Sequence, residues 1–253
     1  MDSMYSANFR KQAREKLAGK WGKAVLITLA FISISIVLSF IEQRLPKSLM
    51  LIFSIVELII EIPLSYGLIV SFLKLYNGEE VSAYDFTSSA IANFSRAWGV
   101  FFRTLLKLLL PICLLIVSIV LIGMGVGFAS ASQLLSTDSA QTLSSVAGSF
   151  SFIALLGVIG YIASIIWLII KSYSLQLAQY IAIENESMSC ADAVQKSQDL
   201  MIGKKWRLFC LQFSFIGWAI LATFTLGIGY LWLFPYMQMA IIAFYKFVSG
   251  ANQ

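Results

Sequence analysis

Apolar residues gather in six runs, at about 24–41, 49–73, 108–128, 150–170, 208–228 and 230–248. Each is close to the roughly 20 residues that carry a helix across a bilayer. Backbone amides in lipid must be satisfied within their own segment, so helices are the only open structure for these runs. The pattern predicts an all-α membrane protein. Residues 1–253 form one integral membrane domain, a bundle of about six transmembrane helices, with no room for a separate soluble enzyme domain. The first run follows a basic segment, as the apolar core of a signal peptide would. However, it is long, and Phe40-Ile41-Glu42-Gln43 offers no small-x-small cleavage site, so it is expected to be retained.

The polar positions between runs also have a pattern. Ser82-Ala83-Tyr84-Asp85 and Ser189-Cys190-Ala191-Asp192 both fit S-x-x-[DE], the box that satisfies free amides at a helix start. Each opens an amphipathic stretch that ends at a tryptophan beside basic residues, Arg96-Ala97-Trp98 and Lys204-Lys205-Trp206-Arg207. The N-terminal segment, from Phe9 to Lys20-Trp21-Gly22-Lys23, is a third version. Amphipathic cytoplasmic helices are therefore expected before spans one, three and five. Trp21, Trp98 and Trp206 are their interfacial anchors, because indole is apolar in body and polar at its N–H. If the three are a true internal repeat, it is a parallel one.

Composition agrees with a membrane protein. The chain is 59% hydrophobic and only 12% charged, against about 25% charged residues in soluble domains. The net charge of +5 comes from basic residues that flank apolar runs, which points to anionic lipid and not to nucleic acid. Sixteen of the eighteen Lys and Arg residues fall on one side of the six-run pattern; only Arg44 and Lys47 fall on the other. The asymmetry predicts a multi-pass protein of the cytoplasmic membrane with both termini in the cytoplasm. There is no histidine, which removes Ser-His-Asp and Cys-His nucleophiles and His-ligated zinc. Cys113, Cys190 and Cys210 show no pairing pattern. Neither an enzyme, a cofactor nor a metal site is expected.

Glu57 and Glu61 are the outstanding polar residues. They lie inside the second run, four residues apart and hence on one helix face, and Ser54 and Ser65 extend the stripe. Pro63 should free a carbonyl and kink the helix. Counted outward from Lys74 at about 1.5 Å per residue, Glu61 is about 20 Å into the membrane. A charged carboxylate there costs about 2.5–3.5 kcal/mol or more, and no Lys or Arg in another span lies at that depth. The pair must be protonated, hydrated in a cavity, bonded to polar neighbours, or occupied by a cation. One reading is a structural bond to span one, where Thr28, Ser35, Ser39 and Glu42 line up at helical spacing. Another is a proton or transport site. A third is that Glu57 is nearer the far interface. Among weaker features, Gly123, Gly125 and Gly127, with Gly157 and Gly160, read as close-packing glycines, and Pro111 and Pro235 as kinks or helix starts. Lys204, Lys205 and Arg207 are candidate contacts for acidic lipid headgroups.

The segments Ser214-Phe215-Ile216-Gly217-Trp218, Thr225-Leu226-Gly227-Ile228-Gly229-Tyr230-Leu231-Trp232, Pro235-Tyr236 and Phe244-Tyr245 resemble the DUF975 family. So do Ala13-Arg14-Glu15 with Leu17, Gly19-Lys20-Trp21, Asn77-Gly78-Glu79-Glu80 and the stretch from Ser197 to Lys205. That resemblance implies an integral membrane protein of a mainly Gram-positive bacterial family and supplies no activity. The expected function is a non-enzymatic scaffold or partner-binding membrane component. Its partners are the bilayer, anionic headgroups, and a membrane protein or a second copy. The alternative is a small proton- or cation-coupled transporter using Glu57 and Glu61. A lipid-directed enzyme is least favoured, since no nucleophile is paired with a base.

Overall fold

A computed structural model describes residues 6–134 and 140–250, with side chains outside 128–151. Among the described residues all regular structure is helical. The helices are α1 (Ser6–Leu17), α2 (Trp21–Glu42), α3 (Lys47–Asn77), α4 (Asp85–Ala92), α5 (Phe94–Leu134) and α6 (Ala140–Leu175), followed by α7 (Ala178–Glu184), α8 (Cys190–Leu200), α9 (Lys205–Phe213), α10 (Ile216–Phe224) and α11 (Tyr230–Ser249). Among the described residues, six stretches are long and apolar enough to cross a membrane: α2, α3, Phe94–Gly127, Phe152–Glu184, Lys205–Phe224 and α11.

Three boundaries differ from the sequence expectation. The Ser-rich connection expected at 130–149 is helix up to Leu134 and again from Ala140. It contains no proline, and alanine, glutamine and leucine continue a helix readily. Residues 135–139 and the side chains of that connection lie outside the described residues. The fifth span, expected at 208–228, begins earlier and breaks in two. Ser214 Oγ donates to the Leu211 carbonyl (2.6 Å), drawing the chain into a tighter turn between α9 and α10. The span ends at Phe224. There Leu226 and Gly227 take positive φ values of 54° and 86°, and Thr225 Oγ1 accepts from the Gly229 amide at 2.8 Å. The two capping boxes also diverge. Ser189 caps α8, accepting from the Asp192 amide (3.1 Å) while its hydroxyl donates to Asp192 Oδ2 (2.7 Å). Ser82 caps nothing. Helix α4 starts only at Asp85, whose carboxylate accepts from the Ser82 amide (2.8 Å), closing a turn instead.

Two compact units are distinguished, 1–103 with 173–253, and 104–172. The smaller unit contains the antiparallel apolar stretches of α5 and α6, which meet through a small-residue seam. A Cβ on Gly157 would lie 2.9 Å from Ile122 Cγ1, and one on Gly160 would lie 2.7 Å from Ser118 Oγ. Those two glycines set the close approach. Gly123 and Gly127 do not act this way, since a Cβ there meets nothing within 4 Å.

In the larger unit the core lies at the end where basic residues gather. Helix α11 is the enclosed element, with buried positions from Leu233 to Val248. Helix α3 is buried from Ile62 to Tyr76, and α2 only at Ala24, Ile27 and Thr28. Away from that end, α3 from Lys47 to Glu61 is almost wholly exposed. The short helices complete the core through apolar stripes. Phe9, Ala13 and Leu17 of α1, four residues apart, are buried against α11, where the Phe9 ring meets Phe244 and Phe247 edge-on at 5.4 and 5.5 Å. Burying such a ring stabilises by about 1.5–3 kcal/mol. Helix α4 packs on α3 through Phe86 and Ala90, and α8 on α7 through Ala193, Val194 and Ser197.

One contact is therefore made three times. If the chain is divided into α1–α3, α4–α7 and α8–α11, each short leading helix lies on the last helix of the preceding division. Helix α1 completes the cycle on α11. This is the geometry expected of a parallel repeat.

Candidate functional site

The α2–α3 hairpin determines where the acidic stripe lies. Ser54 Oγ is 2.8 Å from Glu42 Oε1 and 2.9 Å from the Met50 carbonyl, so its single proton is shared between them. That contact fixes the register of the two helices near the Arg44–Lys47 turn. Glu61 is then about 10 Å along α3 from Ser54 and about 20 Å from Lys74. Glu61 is exposed and Glu57 half-buried, and neither makes a hydrogen bond or ion pair with a described residue. Thr28 and Ser35 of the span-one face, and Ser65 of the stripe itself, bond to their own helices. Thr28 donates to the Ala24 carbonyl (2.9 Å), Ser35 to that of Phe31 (3.4 Å) and Ser65 to that of Ile62 (2.8 Å). Ser54, Glu57, Glu61 and Ser65 share one helix but form no connected network. The one polar link from α3 to the span-one stripe is made by Ser54, not by either of these acids.

The three tryptophans each lie in the first or second turn of a span. Trp21 opens α2, with its ring 6.3 Å from that of Tyr236. Trp98 packs against Phe101 and Phe102 at 5.5 and 5.1 Å. Trp206, 71% exposed, stacks on Phe209 at 5.0 Å. Lys204 and Lys205 are half-buried and Arg207 exposed, none of them ion-paired with a described residue. Just beyond α3, Lys23 binds Glu80, and the ammonium holds that exposed carboxyl below its ordinary range, with Lys20 adding to the effect. So exposed a pair is screened by solvent and adds little to stability.

The most heavily bonded side chain was not visible as such in the sequence. Arg96, in the first turn of α5, turns back onto the end of α7. Its Nε donates to the Ala182 carbonyl (2.9 Å) and its Nη1 to that of Glu186 (2.9 Å). Nη2 donates to the carbonyls of Asn185 (2.7 Å) and Met188 (3.0 Å). A helix end leaves carbonyls without intrahelical donors. Helices α3 and α11 end at left-handed Gly78 and Gly250, whereas α7 ends at Asn185 with φ −122°. The guanidinium fork supplies the donors instead. The same end of α7 is tied to α11. Glu184 accepts from Tyr245 (2.9 Å) and from Lys246, and Tyr180 donates to Gln238 (3.0 Å). The only sequence signal was the absence of a glycine after Glu184.

Comparison with curated proteins and with solved structures finds no match. A family model described as "Protein of unknown function (DUF975)" matches residues 3–252. With nearly its whole length matched, the chain belongs to the DUF975 family.

Proposed function

We propose that this protein is a non-enzymatic, multi-pass component of the bacterial cytoplasmic membrane that binds a partner transmembrane helix through the exposed half of α3. Both termini are on the cytoplasmic side, a topology supported by the one-sided Lys and Arg distribution. In a chain with its native cysteines replaced, a membrane-impermeant thiol reagent is expected to label Gln43→Cys from outside intact cells and leave Lys196→Cys unlabelled. The reverse pattern would invert the topology.

The observation that carries the partner-binding reading is the state of Glu57 and Glu61. Two carboxyl groups stand on an exposed, largely apolar half of α3 without a polar partner among the described residues. Exposure of such groups to lipid is costly. A helix bearing Lys or Arg at that depth removes the cost, and this chain has none to offer a second copy of itself. A coupled transporter is less well supported, because its acids should be enclosed, whereas Glu61 is on the outside of the larger unit.

The test uses a leucine-rich transmembrane peptide with one central Lys, and its Gln counterpart, in vesicles with the labelled protein. Energy transfer is expected to show about a three- to tenfold preference for the Lys peptide, the range of a hydrogen bond between membrane helices. Glu57→Gln with Glu61→Gln should abolish the preference. Equal pairing with both peptides sinks the partner-binding reading. Proton movement lost in the double variant would establish transport in its place.

A further inference from the structure

We propose that a second site, distinct from the Glu57 and Glu61 half of α3, lies at the start of α5 and α8 and takes the phosphate of an anionic phospholipid headgroup. A cavity of about 600 Å³ opens there, lined among others by Ser95, Arg96, Arg103, Glu186, Ser189 and Cys190. It lies within the range of small-molecule sites, with room for a glycerophosphate group.

The walls offer donors that the fold does not use. Arg103 is exposed and has no ion pair or hydrogen bond with a described residue. Arg96 spends its N–H groups on carbonyls, yet no carboxylate lies within ion-pair distance, so its charge is offset only by dipoles. At the start of α8 the Asp192 amide is taken by Ser189, while those of Cys190 and Ala191 have no acceptor. Behind this wall stands Tyr66, 1% exposed, its hydroxyl turned toward the Arg96 guanidinium. It lies near Arg96, Cys190 and Glu186, three residues that line the cavity. Two acids border the site, Glu186 on its wall and Asp192 beyond Ser189. The anion must therefore approach from the α5 side, where Arg103 stands.

Depth selects among anions. Arg103 lies one turn before Lys107, which opens the apolar run of α5, and the Trp98, Phe101 and Phe102 rings cluster in the turn before it. Such a belt belongs at headgroup level. A lipid phosphate is held there at high local concentration, whereas free phosphate is not. The basic cluster of Lys204, Lys205 and Arg207 does not line this cavity.

The full chain in maltoside detergent, titrated with phosphatidylglycerol, phosphatidylcholine or inorganic phosphate, tests the assignment by native mass spectrometry. One phosphatidylglycerol should be retained in preference to phosphatidylcholine, and Arg103→Gln should weaken it about fivefold. Lys204→Gln with Lys205→Gln should leave it unchanged. Arg103 bonds to no described residue, so an unaltered unfolding midpoint will show that its variant is intact. Undiminished retention in Arg103→Gln overturns the site, as does loss in the Lys204/Lys205 variant instead. Displacement by millimolar inorganic phosphate, with no preference between lipids, overturns the headgroup assignment in favour of free phosphate.

Discussion

Arg96→Ala is expected to lower the unfolding free energy in detergent by roughly 3–5 kcal/mol. The guanidinium closes the end of α7 by donating to four carbonyls drawn from Ala182 to Met188. Hydrogen bonds to a charged donor contribute about 1.5–3 kcal/mol each when measured singly, and four bonds from one rigid group add less than four times that. Removing the side chain also strips the carbonyl of buried Ala182 of its side-chain donor. Arg96→Lys is expected to recover little, since an ammonium cannot present a planar fork to carbonyls spread around a helix end. The segment between Glu184 and Ser189 should become the first site of proteolysis in either variant. A chemical unfolding series, with limited proteolysis, measures both effects. Arg96→Lys as stable as the native chain would show that charge alone, not the fork, holds α7.

The six spans were legible because lipid solvation depends on composition, which a sequence displays directly. Their ends were less so, because single side chains decide them. Ser214 divides the fifth span, and Thr225 with Gly227 ends it. The recurring basic–Trp segments correctly marked where short helices precede spans one, three and five. What they could not show was the helix on which each would lie. Glu57 and Glu61 were visible as residues, but their surroundings depend on hairpin register, which the Ser54–Glu42 bond fixes. Arg96 was seen only as a topological charge. Its partners are main-chain carbonyls 86 to 92 residues away, and a carbonyl looks the same under every side chain. The cavity beside Arg103 escaped notice for a related reason, because it exists only once α8 is docked.

Gly67→Ala is expected to cost about 2–4 kcal/mol and to do so through backbone alone. At this position α3 and α4 touch so closely that a Cβ would stand 2.1 Å from the Phe86 carbonyl oxygen and 2.9 Å from the Ala90 amide. Neither atom can rotate aside, as a side chain could, so α4 as a whole must withdraw. Phe86 would then leave a fully buried position and its edge contact with Phe31, at 6.0 Å. Gly22→Ala is the matched control, since a Cβ there meets nothing within 4 Å and alanine favours a helix by about 0.8–1.0 kcal/mol. The loss should also be coupled to that of Arg96. Only Asn93 separates α4 from the start of α5, so displacing α4 drags the guanidinium away from α7. The double variant should accordingly be less destabilised than the two single losses added together. Strict additivity would mean that α4 and α7 are held independently. A Gly67→Ala chain as stable as the native one would show that α4 does not lie against α3 at this spacing.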